Sequence, residues 1–317
     1  MRNFAPDFKT DKQMQTDTRF FKGYFTGALA AACYGLNPLF TLPLYAEGMK
    51  ADSVLFYRYS FALIMIGLIM KLKKCSFRLK WKEVPILAAM GILFSLSSLT
   101  LFESYNYMDA GIASTLLFIY PILTAVIMVI FFKERVSWIT ATSILLAFAG
   151  IALLTRTSNG GMVSLVGCLL VFLSSLSYAI YIVGVNRSFL KTFPSLELTF
   201  YALLFGLLVY IVRLRGGVDL QLPTGYLQWG CAFGLALFPT IISLVLMAVS
   251  IHHIGSTHAS ILGALEPVTA LFIGVLVFHE GFTSRIALGI VLVLFAVTLI
   301  VAGNGKKKSL KAAKISH

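Results

Sequence analysis

Ten apolar runs, each long enough to cross a bilayer as a helix, fill most of the chain. A spanning helix needs about 20 mostly apolar residues, with a lower limit of about 17. Because a backbone in hydrocarbon must satisfy its own hydrogen bonds, runs of this length predict helices. We therefore predict an all-α integral membrane protein with ten transmembrane helices. The predicted spans run from Gly23 to Leu42, Val54 to Met70, Val84 to Phe102, Ala110 to Phe132, Trp138 to Leu154, Leu165 to Val185, Pro194 to Val212, Tyr226 to Ile251, Ile254 to Phe278 and Ile286 to Ala302.

The composition indicates that lipid surrounds these apolar helices. The chain is 58% hydrophobic and 12% charged, whereas a soluble domain carries roughly a quarter charged residues. The net charge of +13 does not predict nucleic-acid binding, because the basic residues lie in short gaps between apolar runs instead of on one face of a soluble fold.

Lysine and arginine residues predict how the spans are oriented. With the amino terminus in the cytoplasm, the segments on that side hold 20 of the 26 Lys and Arg residues and the outside loops hold five. Such residues accumulate on the cytoplasmic side, so we expect both termini there, with tails at residues 1–22 and 303–317. The first 22 residues are polar and carry five basic residues, which does not fit a cleavable signal peptide.

Residue pairs that recur at a fixed offset indicate two repeats, residues 23–154 and 165–302, joined by a linker at 155–164. Five spans in each repeat force the halves into opposite orientations. Inverted repeats favour alternating access, with the substrate site near the midplane where the halves meet. The pairs at an offset of 146 are Ala113 and Ala259, Ser114 and Ser260, Pro121 and Pro267, Glu134 and Glu280, and Ser137 and Thr283; at 144 they are Gly23 and Gly167, and Tyr34 and Tyr178.

The repeated prolines and glutamates have readable physical roles. Proline cannot donate to the residue four before it, so Pro121 and Pro267 free the carbonyls of Leu117 and Gly263 and allow the fourth and ninth spans to bend. We expect these positions to act as hinges. The repeated acid and hydroxyl residues favour capping of the following helix, with coupling as the alternative role for the acids. The candidate capping residues are Glu134, Ser137, Glu280 and Thr283.

At these residues the sequence resembles the EamA-like group of the drug/metabolite transporter superfamily. The resemblance spans about Gly23 to Ala302. It implies a ten-helix inverted-repeat carrier of a bacterial inner membrane, often an exporter of amino acids or related metabolites, with a central cavity. The chain departs from the family at His279-Glu280, where Gly-Glu is common, and at Tyr34-Gly35, where Trp-Gly is common. The matching residues are Leu265-Glu266-Pro267-Val268, Tyr120-Pro121, Lys133-Glu134-Arg135-Val136-Ser137 and Arg58.

Ionisable residues within spans are costly and need a partner, a cavity or a changed protonation state. Glu266 is deepest and precedes Pro267; it is expected either to carry a proton or meet a substrate amine, or to bond a carbonyl freed by a proline. Arg58 near the outer end of the second span is expected either to extend to the interface or to bind a substrate carboxylate. Glu103 at the end of the third span lacks an acidic repeat mate, which favours a role in specificity.

Several tyrosines and one asparagine occur in mid-span, away from the interfacial belt where aromatic residues are enriched. A hydroxyl there needs a partner or water. Tyr34 and Tyr178 are repeat mates and could line a shared cavity. The alternative for each residue is helix packing with hydrogen bonds between helices. The candidates are Tyr34, Asn37, Tyr57, Tyr120, Tyr178, Tyr181 and Tyr201.

The chain carries no hydrolase elbow, HExxH pair, phosphate loop or dinucleotide fingerprint, and its four cysteines lie far apart. We therefore predict no enzyme activity, cofactor or metal. The main hypothesis is a secondary transporter that exports a small organic metabolite, with protons as a coupling ion that the glutamates permit and uniport equally open. An importer of a nucleoside, sugar conjugate or vitamin is the second hypothesis. A non-transporting scaffold or lipid enzyme is the third, and no oligomeric state is predicted.

Overall fold

All regular structure is helical in this computed structural model, which describes residues 8–133, 138–154 and 164–315. Short 3-10 turns occur at Phe189–Thr192 and Arg215–Gly217, and a π-helical turn at Leu237–Ile242. The α-helices are α1 (Phe8–Gly35), α2 (Asn37–Ala46), α3 (Ala51–Leu72), α4 (Val84–Ser104), α5 (Ala110–Leu117), α6 (Tyr120–Phe132), α7 (Trp138–Leu154), α8 (Leu165–Arg187), α9 (Ser195–Arg213), α10 (Tyr226–Ala236), α11 (Ser243–Leu262), α12 (Leu265–Phe278) and α13 (Ser284–Ile315).

Helices of membrane-spanning character dominate the described residues. Each predicted span overlaps one apolar helical segment, and the number of complete crossings stays a prediction. Three segments are shorter, at Ala141–Leu154, Leu265–Phe278 and Ser284–Leu299. The seven that are long and apolar enough to cross a membrane are Phe21–Ala46, Ala51–Leu72, Val84–Ser104, Ala110–Phe132, Leu165–Arg187, Ser195–Arg213 and Tyr226–Ile254.

Several predicted span boundaries lie inside helices, among them the start of the C-terminal tail at residue 303, which lies inside α13. The predicted gap between the eighth and ninth spans, around His252, lies inside α11, because Ser250 to Ile254 contain no proline or glycine to end the helix. The predicted polar tail is helical from Phe8 onward, and it too lacks these residues up to Lys22. Polar residues at these positions therefore did not mark the end of a helix.

Three predicted spans are interrupted in their middle. The breaks separate α1 from α2, α5 from α6, and α11 from α12, and a proline lies in the first turn of each following helix: Pro38, Pro121 and Pro267. The missing proline N–H leaves a carbonyl that needs another donor. The carbonyl of Leu117 accepts from the Ser175 hydroxyl at 3.2 Å, and that of Gly263 accepts from the N–H of Glu266 at 3.0 Å.

The ends of α6 and α12 have the same local conformation. Lys133 and His279, 146 residues apart, both adopt left-handed backbone, with φ of 51° and 54°. Their N–H groups bond to the carbonyls of Met128 and Gly274, which are also 146 residues apart. Non-glycine residues rarely take this conformation, so its recurrence at the repeat offset is a structural counterpart of the sequence repeat.

Close packing brings the broken helices together. Helix α1 packs along α11 and against α12, and α5 packs against α12. A Cβ added at Gly35 would lie 2.5 Å from the carbonyl oxygen of Glu266 and 2.6 Å from Cβ of Thr269. Small residues permit this approach between helices in a membrane, and it sets the first and third breaks beside each other.

Candidate substrate cavity

A cavity of about 210 Å³ lies where the broken helices meet. Its lining comes from both halves of the chain. Five of the ten predicted cavity residues line it, and Gly263, predicted as a hinge, lines it as well. The five are Tyr34, Arg58, Tyr120, Tyr178 and Glu266.

The guanidinium of Arg58 is held inside the protein. The side chain is 4% exposed, its Nε donates to Oγ1 of Thr240 at 3.0 Å, and its Cζ lies 5.3 Å from the ring centroid of Phe102. The expectation that Arg58 extends to the membrane interface is therefore wrong. The buried cation faces the cavity, where it can meet an anionic group.

The π-helical turn at Leu237–Ile242 positions Thr240. Pro239 lies in this turn, and the Thr240 hydroxyl donates to the carbonyl of Leu235, five residues earlier, at 3.2 Å. Such insertions in α-helices often occur at functional sites. The hydroxyl thus donates to its own helix while it accepts from Arg58.

Glu266 brings an acid into the same cavity. It lies in the first turn of α12, directly after the break. Within the described part of the chain, Arg58 and Glu266 form no ion pair within 4.0 Å, and both side chains line the cavity. Tyr34 lines the cavity as well. The cavity therefore offers a cationic and an acidic group that do not neutralise each other by direct contact.

An aromatic wall faces these polar groups. The rings of Tyr120 and Tyr178 meet edge to face with centroids 4.7 Å apart. Tyr181 does not line the cavity but stacks on Tyr178 at 5.9 Å, and Phe94 packs against Tyr181 at 5.5 Å. Edge-to-face and offset-stacked pairs at these distances are favourable. Tyr181 thus packs against Tyr178 on the side away from the cavity and helps to fix the orientation of that ring.

Two other predicted cavity residues, Asn37 and Tyr57, do not line the cavity. Asn37 donates through Nδ2 to the carbonyl of Tyr34 at 2.8 Å, so it holds the break and does not line the cavity. Tyr57 packs edge-on against Trp229, with centroids 5.5 Å apart.

Glu103 and Tyr201 lie outside the cavity as well. Glu103, at the end of α4, accepts from Nδ2 of Asn106 at 3.3 Å. The Tyr201 hydroxyl donates to the carbonyl of Phe77 at 2.9 Å, in the segment after α3. Both side chains therefore tie helices to neighbouring loops.

Glu280 caps a different helix from the one expected. Its Oε1 accepts from the N–H of Ala110 at 2.8 Å and its Oε2 from the N–H of Gly111 at 3.1 Å, at the start of α5. Burial raises the pKa of the Glu280 carboxyl, and nearby Asp109 adds to this, while the two N–H donors act in the opposite direction. The following helix is instead capped by Thr283, whose hydroxyl accepts from the N–H of Ile286 at 3.3 Å. Glu134 and Ser137 lie outside the described residues.

A second cavity, about 290 Å³, is larger but chemically poor. Apolar side chains of α5 to α8, including Leu123, Phe148 and Phe172, form its walls, and its described lining has no charged side chain. The smaller cavity is the candidate functional site, because its polar groups can orient a solute. No group of three or more His, Cys, Asp or Glu side chains among the described residues is placed to hold a metal ion.

Sequence reasoning missed Thr240 and the phenylalanines of the cavity, Phe94 and Phe102. Pro239 was the available signal for Thr240, since a proline inside an apolar run disturbs the helix around it. The phenylalanines gave no signal, because a ring that lines a cavity and one that faces lipid look alike in sequence.

The described architecture is that of a polytopic helical membrane transporter, with a polar cavity enclosed by interrupted helices. The chain belongs to the EamA-like transporter family, which matches it twice, over residues 21–156 and 165–302.

Relatives of similar length support this assignment. An uncharacterized transporter of Archaeoglobus fulgidus is 27% identical over 289 residues, which is 88% of this chain and 99% of the relative. An uncharacterized transporter of Synechocystis is 30% identical over 70% of this chain and 69% of its own. One solved structure, titled only as the crystal structure of a protein, shares the fold with a TM-score of 0.61 and 15% identity over 89% of this chain and 96% of its own.

Proposed function

We propose that the protein is a secondary transporter that exports a small zwitterionic metabolite, an amino acid or a related compound, by alternating access. The observation that carries this proposal is that Arg58 and Glu266 line one cavity and do not pair with each other. A substrate with one carboxylate and one amine would satisfy both.

The substrate would bind with its two charged groups toward the two side chains. Arginine recognises carboxylates through several fixed donors, and an ionised Glu266 would accept from an ammonium group. Hydrogen bonds between charged groups are the stronger ones. The wall formed by Tyr120 and Tyr178 would pack against the rest of the substrate. A cavity of about 210 Å³ favours a small solute.

Alternating access would be carried by two inverted five-helix repeats. The family matches the two halves separately, and the ends of α6 and α12 share one conformation at the repeat offset. Ten spans with both termini in the cytoplasm fit the distribution of Lys and Arg. The bacterial inner membrane as the location rests on the family resemblance. The breaks before Pro121 and Pro267 would serve as hinges. Export as the direction rests on the family resemblance, and Glu266 is the group that would exchange protons for substrate.

Thermal stabilisation of the detergent-purified protein tests the proposal. A ligand that binds only the folded state stabilises it by about 2.7 kcal/mol at roughly 100 times its Kd. We would screen amino acids, nucleosides and sugar conjugates, and then compare each amino acid hit with its amide and its N-acetyl derivative. We expect the free amino acid to raise the melting temperature and both derivatives to raise it less.

Variants assign the two charges. Arg58→Gln should abolish the preference for the free carboxylate over the amide, and Glu266→Gln the preference for the free amine over the N-acetyl form. Glu103→Gln, outside the cavity, is the matched control and should retain both preferences. If a nucleoside or sugar conjugate raises the melting temperature equally in the parent chain and both variants, the importer hypothesis is favoured. If no compound raises the melting temperature, the result counts against a zwitterionic substrate.

A further inference from the structure

We propose that Glu280 is a gating residue that latches the outer ends of α5 and α12 together and so keeps the outer exit of the cavity closed. The assignment of a gate rests on the proposed transporter function. The latch itself rests on contacts between the loop after α12 and the first turn of α5.

The carboxylate satisfies two backbone donors that α5 cannot satisfy itself. The first N–H groups of a helix have no partner within it, and those of Ala110 and Gly111 bond to separate oxygens of Glu280 at 2.8 and 3.1 Å. A negative charge at this end also interacts favourably with the helix dipole. The contact joins residues about 170 positions apart in sequence, so it holds one half of the chain against the other.

Two glycines leave room for the carboxylate. A Cβ added at Gly274 would collide with the Glu280 side chain, and one added at Gly111 would lie 3.2 Å from Oε2 of Glu280 and 3.0 Å from Cα of Leu271. The left-handed turn at His279 brings the chain back, so that the Glu280 N–H bonds to the Gly274 carbonyl at 2.9 Å. The two glycines and the turn at His279 thus shape a specific binding position for the Glu280 carboxylate.

Helix α12 links the latch to the cavity. Glu266 lies in its first turn, and Glu280 follows its last residue, Phe278. At about 1.5 Å per residue, the helix carries a displacement over about 20 Å. A break lies at the cavity end of both α5 and α12. Each short helix can therefore tilt about this break once the contact at its outer end is released. A substrate or proton that moves Glu266 would thereby shift α12 and pull on the contact between Glu280 and α5.

Hydrogen exchange of the full-length protein in nanodiscs tests the latch directly. In Glu280→Ala the amides of Ala110 and Gly111 should exchange faster by about tenfold or more, the ratio expected for loss of hydrogen bonds to a charged group. The amide of Ala113, which bonds to the Asp109 carbonyl at 3.0 Å, is an internal control in the same helix. Gly274→Ala should produce the same acceleration with the carboxylate retained. Glu47→Gln, an exposed acid of another loop, should leave exchange unchanged.

Distance measurements test the gate. Spin labels at positions 106 and 282, two exposed loop sites that flank the latch, would report the separation of these ends in a chain whose native cysteines are replaced by alanine. We expect a short distance with Glu280 present and a population at longer distance in Glu280→Ala and in Gly274→Ala.

The latch is overturned if both variants keep the wild-type exchange at Ala110 and Gly111. The gate is overturned if exchange accelerates while both variants keep the short distance. Cooperative melting of each variant at a temperature near that of the parent chain separates opening from unfolding. Neither readout needs a transported substrate, so a failed search for substrate would count against the proposed function and leave the result on the latch intact.

Discussion

The Nε of Arg58 donates to Oγ1 of Thr240 at 3.0 Å, in a region where both side chains are only 4% exposed. A buried cation needs partners, since an uncompensated charge is costly away from water. Here the partners are a neutral hydroxyl and the ring of Phe102. A guanidinium has five N–H donors, so one bond to Thr240 fixes the orientation of the group and leaves donors for a ligand.

Thr240→Val should destabilise the protein and weaken binding of carboxylate ligands. The change keeps the shape of the side chain and removes the acceptor for Arg58, and leaving a buried polar group unsatisfied costs about 1–3 kcal/mol. Thermal melting with and without ligand measures both effects. Thr142→Val is the control, because the Thr142 hydroxyl bonds only within an exposed face of α7. Equal melting of the two variants would contradict the role of Thr240.

Gly35→Ala should lower the melting temperature, whereas Gly230→Ala should leave it unchanged or raise it. A Cβ at Gly35 would press on the Glu266 carbonyl and on Thr269, while one at Gly230 meets nothing within 4 Å. Alanine is favoured over glycine inside a helix by roughly 0.5–1 kcal/mol where space allows. Melting curves of both variants test whether α1 and α12 touch in the membrane. An unchanged melting temperature for Gly35→Ala would mean that these helices lie further apart.

The sequence predicted the parts of the fold that depend on local chemistry. Long apolar runs located the helices, because hydrocarbon leaves a backbone few alternatives. Prolines located two of the three breaks, at Pro121 and Pro267. The charged residues of the cavity, Arg58 and Glu266, stood out because such residues inside spans are rarely tolerated without a function.

The sequence did not distinguish the cavity tyrosines from the others. Tyr34 and Tyr57 both lie within apolar runs, yet one faces the cavity and the other packs on Trp229. The face that a helix turns inward depends on which helices surround it, and an apolar helix in lipid carries little periodic pattern to indicate that face. The prediction that Glu280 caps the following helix was wrong for a related reason. Capping rules are local, and the partners of Glu280 are about 170 residues away.

Pro267→Ala should slow transport more than it weakens binding. Alanine restores an N–H to α12 and allows a continuous helix across the break at Gly263, which would stiffen the hinge. Turnover in proteoliposomes and ligand-induced stabilisation measure the two effects. Pro85→Ala is the control, because Pro85 lies in the first turn of α4 after a non-helical segment, so its replacement cannot join two helices. Equal loss of turnover and binding in Pro267→Ala would indicate misfolding instead of a stiffened hinge.

Glu266→Gln should abolish transport driven by a pH gradient and preserve exchange of substrate on both sides of the membrane. Glutamine keeps the size and hydrogen-bonding capacity of the side chain but cannot release a proton, so a cycle that couples substrate to proton movement through this residue would stop. Exchange needs only binding and the motion of the two halves. The glutamine oxygen can still accept a hydrogen bond from the substrate amine, so exchange should continue at higher substrate concentration. The comparison is made in proteoliposomes with an imposed pH gradient and then with equal pH and labelled substrate inside. If the variant keeps its full pH-driven flux, Glu266 is not the proton carrier, and its place beside Arg58 in the cavity would be that of a substrate-binding group alone.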